Sequence, residues 1–315
     1  MRAIRYTLAA ALTVIAAASC QDNMIPEQGK ETEVIINATI DNVETKTVFG
    51  EKNGNKQPVL WEDKDNIIVF DGGCYTQRFR TDKGGQTAKF QFYTGWAGDS
   101  PWTEADKYYA VYMGNPDNRK GYSLTRNEDG TATMTLPSIP NVQEPTPGYN
   151  KVSSYIYGVG TNTYVKGEKT YIDMNFSNLT ALIKFELQGT DITGVRFLDQ
   201  KGAVLTGGTY SILFAADGNV SATMNGGNKK NLYMHKFDVN YTPTALEPGV
   251  YYIVLVPPTT EIQPRFSLTT ATTTERATEF ASSDYTIDKK GKNLVTLKPG
   301  MILDLGVWNS SGIVI

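Results

Sequence analysis

Residues 176–187 read Phe-Ser-Asn-Leu-Thr-Ala-Leu-Ile-Lys-Phe-Glu-Leu, the most regular strand pattern in the chain. From Leu179 to Leu187 every second residue is apolar, and the residues between them are mostly polar. A period of two is typical of a strand that buries one face. The stretch lies a little past the middle of the chain, after a polar connector that contains glycine, so we expect it to open the second of two similar domains.

Similar strand patterns extend over the rest of the chain, from Val34–Ile40 to Met301–Trp308. Gly, Pro, Asn and Asp separate them at the spacing of a β-sandwich, and neither heptads nor alternating strands and helices are evident. A chain of 315 residues is long enough for two hydrophobic cores. The sequence therefore predicts an all-β protein with two antiparallel β-sandwiches, over residues 34–168 and 169–315.

The N-terminus carries a secretory leader over residues 1–19. Arg2 and Arg5 precede an apolar segment that is too short to span a bilayer as a helix. Small residues up to Ser19 come directly before Cys20, which resembles the lipobox of bacterial lipoproteins, in which the cysteine becomes the lipid-bearing N-terminus. The alternative is an ordinary signal peptide in which Cys20 is incidental. Residues 20–33 are polar and charged, and we interpret them as a flexible tether.

Composition argues against several function classes. The net charge is −3, and a nucleic-acid partner would normally require a basic patch or stripe. His235, the only histidine, lies in the strand pattern Leu-Tyr-Met-His-Lys-Phe, so we do not expect it to be a catalytic base. One histidine and two cysteines do not supply a zinc site. We expect no enzymatic activity, no cofactor and no metal.

Two groups of residues allow both a functional and a structural interpretation. Asp63 and Asp65 could bind calcium through loop oxygens, but we favour the alternative, a solvated turn before a strand. Trp96 and Trp102 lie in a segment rich in tyrosine, where exposed rings could stack on a sugar. The alternative for both tryptophans is packing in the core or at its rim.

Several motifs, in their order along the chain, carry a family resemblance. They are the lipobox at Cys20, Thr45–Phe49, Leu60–Phe70, Asp106–Tyr112, Thr135-Leu136-Pro137 with Gln143, Phe176–Phe185 and Leu297–Gly300. Together they resemble the fimbrillin-like (Mfa-like) lipoproteins of Bacteroidetes, which form the shaft, tip and anchor subunits of type V pili. Asn178 departs from the pattern, because many members have histidine at that position.

The resemblance implies two transthyretin-like, Greek-key β-sandwiches in a lipoprotein that is carried to the outer surface of the cell. In shaft and tip subunits of this family, an Arg- or Lys-directed protease removes the first strand. The vacated groove then accepts a strand from a neighbouring subunit, so the expected partners are other fimbrial subunits and, through Cys20, outer-membrane lipid. Physically this is β-augmentation, in which main-chain hydrogen bonds pair a sheet edge and alternate side chains fill pockets.

Mapped onto this chain, the removable strand is the first one, whose alternate apolar residues are Val34, Ile36, Ala38 and Ile40. Lys46 is the nearest basic residue behind it and is our candidate for the cleaved position. Shaft subunits typically present arginine there, and the alternative is that Lys46 is an ordinary loop lysine. Anchor subunits keep both their first strand and their lipid.

A donor strand also needs apolar residues at alternate positions, which Met301, Leu303, Leu305 and Val307 provide. If this segment instead completes the chain's own sandwich, residues 312–315 would be a short donor.

We conclude from the sequence that the chain is a lipid-anchored fimbrial subunit, or fimbrillin-like adhesin, whose ligand would be a host or bacterial surface. The alternative is a surface carbohydrate-binding lipoprotein that uses Trp96 and Trp102. A carboxylate-based glycosidase comes third.

Overall fold

A computed structural model describes residues 33–40, 48–49, 59–71, 76–93, 105, 107–114, 122–129, 131–148, 155–215, 217–239, 242–270, 285–286, 294–310 and 312–314. In these residues all regular secondary structure is β, which confirms the predicted all-β class. Over the same residues there is no helix with the length and apolar character needed to cross a membrane.

The strands, in chain order, are as follows. They are β1 Glu33–Ile40, β2 Val48–Phe49, β3 Val59–Leu60, β4 Asn66–Phe70, β5 Thr76–Thr81, β6 Thr87–Phe92, β7 Tyr109–Tyr112, β8 Ser123–Arg126, β9 Ala132–Leu136, β10 Val142–Gln143, β11 Ile156–Lys166, β12 Lys169–Asn178, β13 Ala181–Leu187, β14 Ile192–Asp199, β15 Thr209–Phe214, β16 Val220–Asn225, β17 Asn231–Phe237, β18 Pro243–Thr244, β19 Gly249–Leu255, β20 Pro264–Thr270, β21 Tyr285–Thr286, β22 Ile302–Asn309 and β23 Gly312–Val314.

Seven strands close into a barrel in the order β1-β12-β11-β7-β4-β5-β6. The first strand closes it, because β1 runs parallel to β12 on one side and antiparallel to β6 on the other. The side chains that point into the barrel form one continuous core, to which β1, β4, β6 and β12 all contribute. Closure leaves this sheet without a free edge for as long as β1 is present.

The C-terminal half builds a second core between two sheets. One sheet has the order β10-β17-β14-β20-β21, with β18 also paired to β17, and the other has the order β19-β13-β22-β23. Apolar residues of β13, β14, β17, β19 and β20 meet between the two sheets, as expected for a sandwich.

A third core joins the two halves of the chain. Strand β9, from the first half, pairs with β15 from the second half in the sheet β16-β15-β9-β8. Met134 of β9 and Ile212 of β15 are buried together with Ile68, from the outer face of the barrel. The same core also includes Val254, from the outer face of the second sandwich.

Two separate sandwiches are therefore not confirmed, because strands of the predicted first domain close as a barrel together with β12 of the predicted second domain. The proposed boundary between residues 168 and 169 falls in the turn of the β11–β12 hairpin, where Lys166 pairs with Lys169. Gly167 adopts a positive φ of 67°, as the first position of a two-residue hairpin turn requires. A polar, glycine-containing pair has the same composition in a tight turn and in a domain linker, which is why the sequence pattern was ambiguous there.

The stretch 176–187 belongs to two different sheets. Its first three residues end β12 in the barrel, and Ala181 begins β13 in the C-terminal sandwich. From Ala181 to Leu187, the predicted inward residues line the sandwich core and are at most 1% exposed. Leu179 and Leu182 instead contribute to the third core. The crossover between the barrel and the sandwich thus occurs within the stretch, at Leu179 and Thr180.

The outer edge of β19 is capped by a glutamine side chain. Gln143 Nε2 donates a hydrogen bond to the carbonyl of Val254 at 2.6 Å, and the Val254 N–H donates to Gln143 Oε1 at 2.9 Å. The side-chain amide therefore pairs with Val254 as a neighbouring strand would. Gln143 is only 2% exposed, so the backbone groups it satisfies are shielded from water.

We predict that Gln143→Leu lowers the free energy of unfolding by about 1–3 kcal/mol, because it leaves a buried N–H and a buried carbonyl of Val254 without a partner. Urea unfolding of the chain without its leader measures the effect. Gln188→Leu is the matched control, because the Gln188 side chain is exposed and bonds only to Glu186 at the surface. An equal effect of the two substitutions would contradict the edge-capping role.

Candidate strand-exchange site

Strand β1 supplies four inward side chains to the barrel core. Val34, Ile36, Ala38 and Ile40 are at most 4% exposed and belong to the same apolar cluster. These are the four residues that the sequence pattern assigned to the inward face of the first strand. The two strands that flank β1 are distant in the sequence, so the site is assembled by the fold and not by a local motif.

Strand β1 lies between β6 and β12, and we call the site that it occupies there the β1 position. These two strands form the walls of the site. Ile36 is paired with Phe90 on one side and with Ile172 on the other. At Ala38 the opposing residues are Ala88 and Met174. All of these residues lie in the barrel core.

The indole of Trp61 is packed beside the middle of β1. Its Nε1–H donates a hydrogen bond to the main-chain carbonyl of Ala38 at 3.1 Å. Three other rings meet the indole edge-on, with centroid distances of 4.9 Å for Phe90, 5.6 Å for Tyr112 and 5.0 Å for Phe176. Trp61 is 2% exposed, so β1 provides the partner for a donor that water cannot readily reach.

The turn after Trp61 is fixed by aspartate side chains. Asp65 Oδ2 accepts a hydrogen bond from the N–H of Glu62 at 2.7 Å, and its Oδ1 accepts one from Tyr112 Oη at 3.2 Å. Asp63 Oδ1 accepts from the N–H of Gly84 at 2.8 Å. These contacts are those of a structural turn, and the described residues contain no group of three or more side chains suited to hold a metal ion.

On the outward side of β1, Ile35 is buried, and the polar side chains make partly exposed contacts. Lys169 Nζ lies 2.7 Å from Glu33 Oε2, and this hydrogen bond raises the pKa of the lysine. Asn37 Nδ2 donates to Asp173 Oδ1 at 2.8 Å. Exposed ion pairs contribute little to stability, so the buried apolar residues of β1 provide most of its attachment.

Loss of β1 would therefore have a defined result. It would leave β6 and β12 with unpaired main-chain edges, and it would open an apolar groove between them. The Trp61 indole N–H would lose its acceptor at the same time. Such a groove can be filled again by any extended chain that supplies main-chain hydrogen bonds and suitable side chains.

The predicted C-terminal donor completes a sheet of its own chain. Strand β22 runs parallel to β13, and β23 folds back along its other side. Met301, Leu303 and Leu305 pack against the sandwich core, as the alternation predicted. A bulge at Leu305 and Gly306 then shifts the period, with φ at Gly306 of 84°.

Because of this bulge, Trp308 and not Val307 is the next buried side chain. Trp308 is 2% exposed and contacts Phe266, whereas Val307 is only half-buried. The four-residue alternation from Met301 to Val307 therefore fails at its last position. A period-two pattern cannot reveal a bulge when the residues on both sides of it are apolar.

The histidine considered as a catalytic base does not contribute to the barrel core. His235 is half-buried on β17 beside Phe237, at a ring distance of 4.6 Å, and burial lowers the pKa of its imidazole. Cys20, Lys46, Trp96 and Trp102 lie outside the described residues, so lipidation, cleavage and ring stacking stay predictions.

Comparisons with known proteins found no matching family model and no matching curated protein. Among solved structures, the chain is similar to a candidate cell adhesion protein from Bacteroides uniformis, with 13% identity, a TM-score of 0.47, and coverage of 90% of this chain and 96% of the other. It is also similar to a fimbrial protein from Bacteroides ovatus, with 11% identity, a TM-score of 0.39, and coverage of 91% of this chain and 50% of the other.

A third similar structure is described as a candidate polysaccharide binding protein from Bacteroides thetaiotaomicron. It has 12% identity and a TM-score of 0.33, and the match covers 90% of this chain and 94% of the other. At TM-scores below 0.5 the likeness is partial, and it does not assign a function to this chain.

We predict that Ile36→Ala lowers the free energy of unfolding by about 2–5 kcal/mol, because it leaves a cavity in the barrel core. Thr39→Ala on the same strand is the matched control, because Thr39 points outward and contacts only Thr87 with its hydroxyl. The control should change stability by no more than about 0.5 kcal/mol. Chemical denaturation measures both, and equal effects would show that β1 is not anchored through its inward face.

Proposed function

We propose that the chain is a structural subunit of a surface fimbria, or a fimbrillin-like adhesin, and that it assembles by exchange of strand β1. The observation that carries this proposal is the position of β1, which is the first described strand and also completes a closed barrel. Cleavage of one peptide bond on the C-terminal side of β1 would separate β1 from the rest of the chain. The connections between all other strands would stay intact. The family resemblance of the sequence supplies the biological setting.

The proposed mechanism needs no cofactor and no catalytic residue of this chain. Proteolysis behind β1, with Lys46 as the candidate position, makes the attachment of β1 non-covalent. The released groove then accepts a strand from a neighbouring subunit, which pairs with β6 and β12 and refills the apolar core. The bound neighbouring strand is stabilised by burial of apolar side chains and by the main-chain hydrogen bonds that β1 made before.

The remaining parts of the proposal concern the N-terminus. Lipid on Cys20 would hold the precursor at the outer membrane and present it on the cell surface, where other subunits are its partners. An anchor subunit would keep both this lipid and β1. A host or bacterial surface ligand would be bound by the assembled fibre.

We predict that mass spectrometry of protein extracted from the cell surface finds an N-terminus behind β1, between residues 41 and 58. Lys46→Gln should abolish this species, whereas Lys52→Gln, as the matched control, should not. Cys20→Ala should remove the signal from metabolic palmitate labelling. Intact protein that begins at lipidated Cys20, with no internal cleavage, would contradict exchange of β1 and leave the anchor role.

A further inference from the structure

Two alanines face each other at the centre of the β1 position. Ala38 on β1 is directly opposite Ala88 on β6, and both are at most 4% exposed within the barrel core. The other inward residues of β1, namely Val34, Ile36 and Ile40, are all larger. The indole of Trp61 lies beside this small pair, since its N–H bonds to the Ala38 carbonyl at 3.1 Å.

Trp61 cannot easily move away from Ala38. Phe90, Tyr112 and Phe176 contact the indole with ring centroids at 4.9–5.6 Å. Phe176 is itself confined, because a Cβ added to Gly158 would lie only 2.7–2.9 Å from its ring atoms. The ring thus occupies the space that a side chain at position 158 would need, and the packing behind Trp61 is tight.

We infer that the barrel selects its incoming strand by size at one position. The acceptable strand has three apolar inward residues and a small residue, alanine or glycine, at the place of Ala38. From the N-terminal to the C-terminal end of β1, the four inward positions require an apolar, an apolar, a small and an apolar residue. Polar residues are allowed at every outward position except the first. The inference rests on the proposed function and specifies the chemistry of the partner strand.

The rule excludes the C-terminal segment of this chain as the partner. No register of residues 301–315, in either direction, places a small residue at the Ala38 position and apolar residues at the other three. In the forward register that begins at Met301, Leu305 would occupy the small position. In the register that places Gly306 there, Asp304 would point into the core. The partner strand is therefore not residues 301–315 of a second copy.

Peptide exchange into the full chain tests the rule. A protease site is inserted between Val43 and Glu44 of the chain without its leader, which is between β1 and β2, the chain is cut there, and β1 stays bound without a covalent link. Fluorescent peptides of residues 30–42 are then added in excess, and their incorporation is measured by anisotropy and native mass spectrometry. The peptides carry the natural sequence, Ala38→Gly, Ala38→Leu or Thr39→Leu, and a fifth peptide has the sequence of residues 301–315.

We expect the natural, Ala38→Gly and Thr39→Leu peptides to be incorporated. Ala38→Leu should bind at least about tenfold more weakly, because overpacking a confined core is destabilising. Thr39→Leu adds bulk to the same strand on its outward side, so it controls for a general effect of leucine. The 301–315 peptide should bind no better than the Ala38→Leu peptide.

Each other outcome has a distinct meaning. Equal incorporation of the natural and Ala38→Leu peptides would overturn size selection and leave strand exchange intact. Incorporation of the 301–315 peptide at the level of the natural peptide would overturn the exclusion of the C-terminal segment. If even the natural peptide cannot replace β1, the proposed function itself fails, and the selection rule fails with it.

Discussion

The hydrogen bond from the Trp61 indole to the carbonyl of Ala38 sets two requirements on the strand that closes the barrel. A buried N–H without an acceptor costs about 1–3 kcal/mol, so the barrel favours a strand at this position. The acceptor is a main-chain carbonyl, which any extended chain can supply. The ring beside it, however, restricts what the side chain at that residue can be. One contact thus combines a general requirement for a strand with a specific requirement for a small residue.

The two faces of β1 have different roles in its attachment. Its inward face is part of the barrel core, whereas its outward contacts, such as that between Glu33 and Lys169, are partly exposed and individually weak. Removal of β1 therefore disrupts a core and two strand edges without requiring any other strand to move. Elsewhere, the outer edge of β19 is capped at Val254 by the buried side chain of Gln143. The structure protects that edge permanently, but the edges of β6 and β12 only while β1 is present.

The sequence predicted the buried faces of single strands, but it missed strand pairing, a turn and a bulge. The alternation in β1 identified all four of its inward residues, and the alternation from Ala181 to Leu187 identified a core strand. The parallel partner of β1 could not be predicted, because β12 follows it by more than a hundred residues and its pairing is set by tertiary packing. The hairpin turn at Gly167 and the bulge at Gly306 were missed for a related reason, since composition does not distinguish a turn from a linker or reveal a shift in register.

A reversible covalent lock on β1 tests the central claim most directly. Asn37 and Asp173 are outward-facing register partners on β1 and β12, so cysteines at both positions can form a disulfide that holds β1 in place. In a Cys74→Ser background, a second pair at Thr209 and Asn225 locks β15 to β16 and serves as the control. Electron microscopy of the cell surface measures fibre formation. We expect the Asn37–Asp173 lock to prevent it until reductant is added, and the control lock to leave it unchanged. Fibres formed by the locked chain without reductant would contradict the exchange of β1.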